Sequence, residues 1–258
     1  MTFDAKFNDV NPDAGGFNYT ARGVGHSSLG GRMMWNSTST LHDAFAGLNG
    51  QTGNNFITFC IEVAAPVNFG NTYKIETQQL KDLPTSGSPA PMNAAKANDV
   101  AQFWGKWKTE IKNLQSNTGF MSYSAAQLGS AIQLAIWEIV FEKDNTAYNV
   151  TSEGGSEQGF KVTSGDAGAL TLAQYLLDHT DFSDANTNLA NVVGLKVTQS
   201  GADRQDQVTI IDDDYVVTPG GNIEQVPVPP AVVLVAAGIA SGLFLRRRIA
   251  GQQAAVVA

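Results

Sequence analysis

The sequence predicts an α+β fold: antiparallel β-sheets packed as a sandwich, helices inserted within the run of strands, and a C-terminal hydrophobic helix. Three observations predict it. Residues 1–92 hold aromatic and β-branched stretches between Gly, Asn and Pro, which mark short strands and turns. From residue 93 apolar residues recur every three or four positions, which marks helices. Near the C-terminus an uninterrupted apolar run, 231–245, stands between a Pro-rich break and three arginines.

In chain order, "GFNYTARGVG", "FITFCIEVAA" and "TYKIETQQL" read as strands. Residues 93–115 place Ala97, Val100, Trp104, Trp107, Ile111 and Leu114 on one helical face. Asn93 is the predicted N-cap, and Trp104 and Trp107 read as core. A second helix covers 124–144, opened by a Ser124/Gln127 capping box. Its apolar face is Leu128, Ile132, Ala135, Ile136, Ile139 and Val140. A shorter helix covers 168–179, with Asp166 near its start. Strands return in "NVVGLKVTQ" and "QDQVTIIDDDYVV". The body therefore spans 1–218, a Gly/Pro linker 219–230 and a tail 231–258. No internal repeat is visible.

At 258 residues, 43% of them hydrophobic and four of them Trp, the chain can bury a sizeable core. Its formal net charge is −8. Three of its positive charges sit together at 246–248, so the body ahead of them is more acidic still. An acidic body repels phosphate backbones, which excludes nucleic acid as a partner. Gly is plentiful, at 26 residues, and Asn, Ser and Thr abound. That composition suits an exported, loop-rich β protein. One cysteine rules out an intramolecular disulfide and leaves a buried inert thiol, a reactive thiol or an intermolecular link.

The tail "VPVPPAVVLVAAGIASGLFLRRR" has three parts in order. As a helix the apolar run 231–245 spans roughly 22 Å, against about 30 Å of bilayer hydrocarbon. Extended back to Val226 it is a marginal span, and its arginines predict a cytoplasmic C-terminal end. The arrangement closely resembles the PEP-CTERM sorting signal of Gram-negative bacteria, carried here by Pro227, Pro229, Arg246, Arg247 and Arg248. The resemblance implies an exosortase-type sorting enzyme as partner. It also implies an inner-membrane-anchored precursor and a final place at the cell surface or in the extracellular matrix. "MTFDAKFNDVNPDAGG" has no apolar h-region, so export leads us to expect a leader upstream of Met1 or one already removed.

Gln133 is the odd residue of the second helix, an amide among apolar neighbours that is costly to bury unpaired. Its own stripe holds Ala126, Gly129, Ser130 and Trp137. Three small residues beside one amide predict the close approach of another backbone; which backbone stays open. Here "FCIEV" and "IQLAIWE" resemble the thioester domains of bacterial surface proteins. In that family a strand Cys and the Gln of a Q-x-A-I-W motif condense with loss of ammonia. The resemblance implies an internal thioester between Cys60 and Gln133, with Ala135, Ile136 and Trp137 completing the motif. Phe59, Ile61 and Trp137 are the expected apolar walls that keep water from the bond. It also implies a single-use covalent attachment to an amine or hydroxyl on a partner surface, without turnover, so no enzyme and no cofactor. Two alternatives stand beside this: a structural surface or biofilm protein of the same fold without the bond, and a Cys60-centred hydrolase drawing a base from His26, His42 or His179. Asp212, Asp213 and Asp214 lack an ordered ligand spacing and read as a solvated turn, so no metal is expected.

Overall fold

The computed structural model describes residues 1–37, 55–63, 66–85, 92–114, 119–142, 147–152, 159–183, 192–211, 215–218 and 222–225. Met1–Glu224 forms one compact unit, which runs past the boundary predicted at 218. The second unit, Gln225–Ala258, lies almost wholly outside the described residues. So do Pro227, Pro229, Arg246, Arg247, Arg248 and the predicted hydrophobic helix. Among the described residues no helix is long and apolar enough to cross a membrane.

Four strands come first: β1 (Thr2–Ala21), β2 (Val24–Ser37), β3 (Asn55–Cys60) and β4 (Thr72–Gln78). A short 3-10 turn, Leu80–Asp82, leads to two helices, α1 (Ala94–Asn113) and α2 (Ala125–Phe141). Then come β5 (Phe160–Ser164), α3 (Ala167–Asp178), β6 (Val192–Gln199), β7 (Ala202–Asp203) and β8 (Gln207–Ile210). A separate ribbon pairs β9 (Tyr215–Val217) with β10 (Ile223–Gln225), the latter inside the stretch predicted as linker.

Among the described residues the fold is mostly antiparallel β with three α-helices, and the expected two-sheet sandwich is replaced by a barrel. Strands run in the order β2-β3-β8-β6-β4-β1, and β1 pairs back onto β2, closing six strands on themselves. The physical cause is β1. It is 20 residues long and its register against β2 shifts at Phe7/Asp9, Val10/Asp13 and Asp13/Gly16. Each such irregularity bends the strand and increases its twist. The start of β1, Thr2–Lys6, pairs with β4 and its end, Asn18–Ala21, with β5, so one strand turns the corner that closure requires. Period-2 burial fixes its faces: Phe3, Ala5 and Phe7 are buried, Asp4 and Lys6 exposed.

The helices pack outside the barrel. Asn93 caps α1 by accepting from the Lys96 amide at 2.9 Å, and Trp104 and Trp107 are buried as expected. The Ser124/Gln127 capping box opens α2, and Asp166 caps α3 by accepting from the Ala169 amide at 2.8 Å. From Leu128 to Phe141 every residue of α2 is buried. A helix that is mostly apolar on every face belongs inside, with Ser130, Gln133 and Glu138 as its buried polar exceptions, and α2 lies between β1, β2 and β3 on one side and α1 and α3 on the other.

Candidate functional site

The backbone that approaches the small stripe of α2 belongs to the barrel. A Cβ on Gly129 would run into the carbonyl oxygen of Pro12, at the bulged part of β1. Ser130 accepts from the Ala14 amide at 2.7 Å and donates to the Gly30 carbonyl. One turn on, Gln133 meets Cys60. Its Oε1 accepts from the Cys60 amide and its Nε2 donates to the Cys60 carbonyl, both at 2.8 Å.

Strand pairing explains why Cys60 needs this partner. The β2–β3 ladder runs from Asn36↔Asn55 to Met33↔Thr58 and ends there. On the opposite edge Cys60 pairs with Gln207, and Ile61 donates to the Asp206 carbonyl. The Cys60 amide and carbonyl therefore point away from β8, beyond the end of the β2 ladder. Buried backbone groups demand partners, and the Gln133 amide supplies both.

The thiol makes contacts of its own. Cys60 Sγ touches Met33 Sδ and accepts from Gln207 Nε2 at 3.5 Å. The orientation of Gln207 is set by a chain of hydrogen bonds. Trp35 Nε1 donates to Thr58 Oγ1 at 2.9 Å, and Thr58 donates to Gln207 Oε1 at 3.0 Å. That leaves the Gln207 NH₂ facing the sulfur and the Gln205 carbonyl. Burial pushes the thiol up to about 12; the Gln207 hydrogen bond works against this and the charge of Glu62 adds to it. Burial thus disfavours the thiolate form of an unreacted Cys60.

A cleft of about 210 Å³ leads from Cys60 toward solvent. Its apolar walls are Phe7, Val10, Met33, Val63, Val67 and Phe69, with Ser27, Ser28 and Gln205 as polar points. Phe69 is 55% exposed and stacks on Phe7, ring centres 5.0 Å apart. The expected wall residues lie elsewhere. Alternation along β3 turns Phe59 to the face opposite Cys60, where it packs edge-on against Trp104 at 5.6 Å, and Ile61, just past the end of β3, is fully buried and does not line the cleft. Ala135 and Ile136 are fully buried in α2 and do not line the cleft. Trp137 lies one turn beyond Gln133 and packs on Tyr19 at 5.0 Å and Phe160 at 6.2 Å.

Three residues that sequence patterning did not single out complete the surroundings. Gln207 holds the sulfur. Tyr19 has a buried hydroxyl with no hydrogen-bond partner among the described residues; burial, and then the charge of Cys60, raises its pKa. Glu62 is wholly buried. Only Glu62 left a trace in the sequence, as an acid following the apolar run "FITFCI". A hydrolase would need an imidazole at the sulfur. His26 stacks on Tyr19, and His179 is tied to the Tyr175 carbonyl at 2.8 Å beside α3. His42 and Asp212, Asp213 and Asp214 lie outside the described residues. The arrangement instead seats the Gln133 side-chain amide on the backbone of the thiol-bearing residue, with the Cys60 N–H hydrogen-bonded to the amide oxygen. No family model matches the chain, and neither a curated protein nor a solved structure aligns with it.

Proposed function

We propose that the chain is an exported surface or matrix protein that forms an internal thioester between Cys60 and Gln133 and uses it for covalent adhesion. One observation carries this: the paired hydrogen bonds that hold the Gln133 amide on the Cys60 backbone. The sulfur adds to Gln133 Cδ, the C–N bond breaks, and ammonia leaves with the thiol proton. Charge develops on Gln133 Oε1, where the Cys60 N–H already donates, so the stabilising dipole is in place before reaction. In use, a partner amine or hydroxyl attacks the same carbon, the C–S bond breaks, and the partner ends bonded to Gln133. The Gln207 NH₂ supports the departing thiolate. The mostly apolar lining of the cleft at Cys60 limits water at the sulfur.

The tail supplies the second half of the reading. Pro227, Pro229 and Arg246–Arg248 address the protein to an exosortase-type enzyme, with the inner membrane as a temporary anchor and the acidic body outside. The test is intact mass. Freshly purified protein should weigh one ammonia less than its sequence, and Cys60 should resist alkylation until the fold opens. Full sequence mass and a freely titrating thiol would leave Gln133 as a structural amide and the protein as a surface component of the same fold without the bond.

A further inference from the structure

The β1–β2 hairpin has one covered edge and one open edge. Arg22 and Gly23 both have positive φ, 51° and 76°, as a two-residue type I′ turn requires. Such a turn makes Ala21 and Val24 a hydrogen-bonded pair, and bonded pairs then alternate along the ladder. The N–H and C=O groups of Gly25, Ser27 and Leu29 therefore point away from β1. The same parity serves the other edge, where Arg22 donates to the Gly159 carbonyl at 2.8 Å and β5 pairs with β1. On the open side β3 covers only Met33–Asn36. Among the described residues the outward groups of Gly25, Ser27 and Leu29 meet only the Ser28 hydroxyl, which donates to the Leu29 carbonyl at 3.2 Å. All three residues are exposed.

The open edge leads to the thiol. Carried on, the β2–β3 register would set Gly31 opposite Cys60. Instead the ladder stops, and both residues line the cleft together with Ser27, Ser28 and Leu29 of the edge. Sheets commonly blunt such edges with charged residues and Pro, yet "VGHSSLGG", residues 24–31, carries no Lys, Arg, Asp, Glu or Pro. We propose that this edge receives an extended polypeptide segment as an added strand, which brings a lysine amine of that segment to the Cys60–Gln133 bond. The inference rests on the thioester reading above. The amine attacks Gln133 Cδ, the C–S bond breaks and the amine proton passes to the sulfur. An amide at Gln133 and a free Cys60 thiol remain.

The chemistry of the edge selects its occupant. Outward donors and acceptors recur every second residue, roughly 7 Å apart, and another peptide backbone offers the matching row. Among the described residues that line the cleft none carries a formal charge. Leu29 and Phe69, both exposed, add apolar surface beside the edge, so the segment that fits carries apolar side chains next to its lysine.

The test uses the full chain in detergent and three probes: methylamine, a pool of capped pentapeptides with central lysine and random flanks, and the same pool with its backbone amides methylated. Addition is followed by intact mass at equal amine concentration. Wild type should add the plain pool on the order of 10–10²-fold faster than the methylated pool, because docking makes the attack effectively intramolecular. Gly25→Pro removes one outward N–H, and a side chain at Gly25 meets nothing within 4 Å. In that variant the ratio of plain-pool to methylamine addition should fall toward the methylated-pool value. Gly25→Ala keeps the N–H and should keep the wild-type ratio. Equal rates for the two pools, with methylamine still adding, overturn strand docking and leave the thioester standing. Wild type with full sequence mass and no adduct from any probe overturns both. A second copy of this chain is the rival occupant: dimerisation lost in Gly25→Pro, with no preference for the plain pool, would assign the edge to self-pairing and overturn the proposal. Should Gly25→Pro not fold, the two pools on wild type decide alone.

Discussion

Gln133 and Cys60, 73 residues apart, form a closed ring of two hydrogen bonds in which a helix side chain replaces a missing strand. The amide carbon is thereby held against the residue that carries the thiol. The same contact has a structural value, because a buried peptide group left unpaired costs about 1–3 kcal/mol. The site is therefore assembled by ordinary folding forces before any bond forms.

Reactivity separates the bonded form from the merely packed one. Methylamine should add once, at Gln133, and release a Cys60 thiol that can be alkylated after unfolding. Cys60→Ala should give no adduct and keep the fold, at a cost of about 1–3 kcal/mol for the lost buried sulfur. Mass mapping of the adduct checks the position; an adduct that survives in Cys60→Ala would assign the reaction to another group.

Gly129 controls how closely α2 seats on the barrel. Gly129→Ala should favour the isolated helix by about 1 kcal/mol. Yet its Cβ meets the Pro12 carbonyl, a backbone atom. The net change should be destabilising by about 1–3 kcal/mol. The displaced helix should also draw Gln133 away from Cys60 and lower the fraction of chains that lose ammonia. Chemical denaturation and intact mass read the two effects. Unchanged stability with full ammonia loss would show that β1 shifts freely.

Stability should fall as pH rises from about 5 to about 8.5. Burial raises Glu62 to about 7 and Glu138 to about 8 from the ordinary 4.5. For an acid raised in the folded state, the native form holds a proton that the unfolded chain releases. The neutral carboxyl is favourable below the unfolded value, and that advantage is lost progressively up to the folded one. Glu138→Gln preserves an acceptor for the Asn149 amide and removes the titration. It should raise stability at pH 8.5 by a few kcal/mol, on the order of the linkage for a shift of this size, and leave pH 5 nearly unchanged. Thermal melts across this range test the sign.

The tail and the thioester share no chemistry, so they should fail independently. Replacing Arg246, Arg247 and Arg248 with neutral residues should weaken retention at the inner membrane and mis-sort the protein. Ammonia loss in the body should be unaffected. Fractionation of cells expressing tagged forms provides the comparison, and a wild-type body confined to the cytoplasm would defeat the localisation.

The sequence by itself determined what depends on near neighbours. Asn93, Ser124 with Gln127, and Asp166 cap their helices within three residues, and the apolar faces of α1 and α2 repeat within a turn. The Cys60–Gln133 pair came from motif resemblance, and the small stripe at Gly129 and Ser130 announced a close backbone without naming it. Only the tertiary structure decided the rest. Closure of the barrel depends on register shifts in β1 and on its pairing with β2 and β4, which join residues far apart in the chain. Which side chains wall the thiol depends on strand phase. A single step along β3 sends Phe59 to the helix side and leaves Cys60 facing Met33 and Gln207. The hydrogen bonds of Glu62 with Asp206 and Gln205, and of Cys60 with Gln207, exist only because β8 lies beside β3, and no local pattern encodes that adjacency.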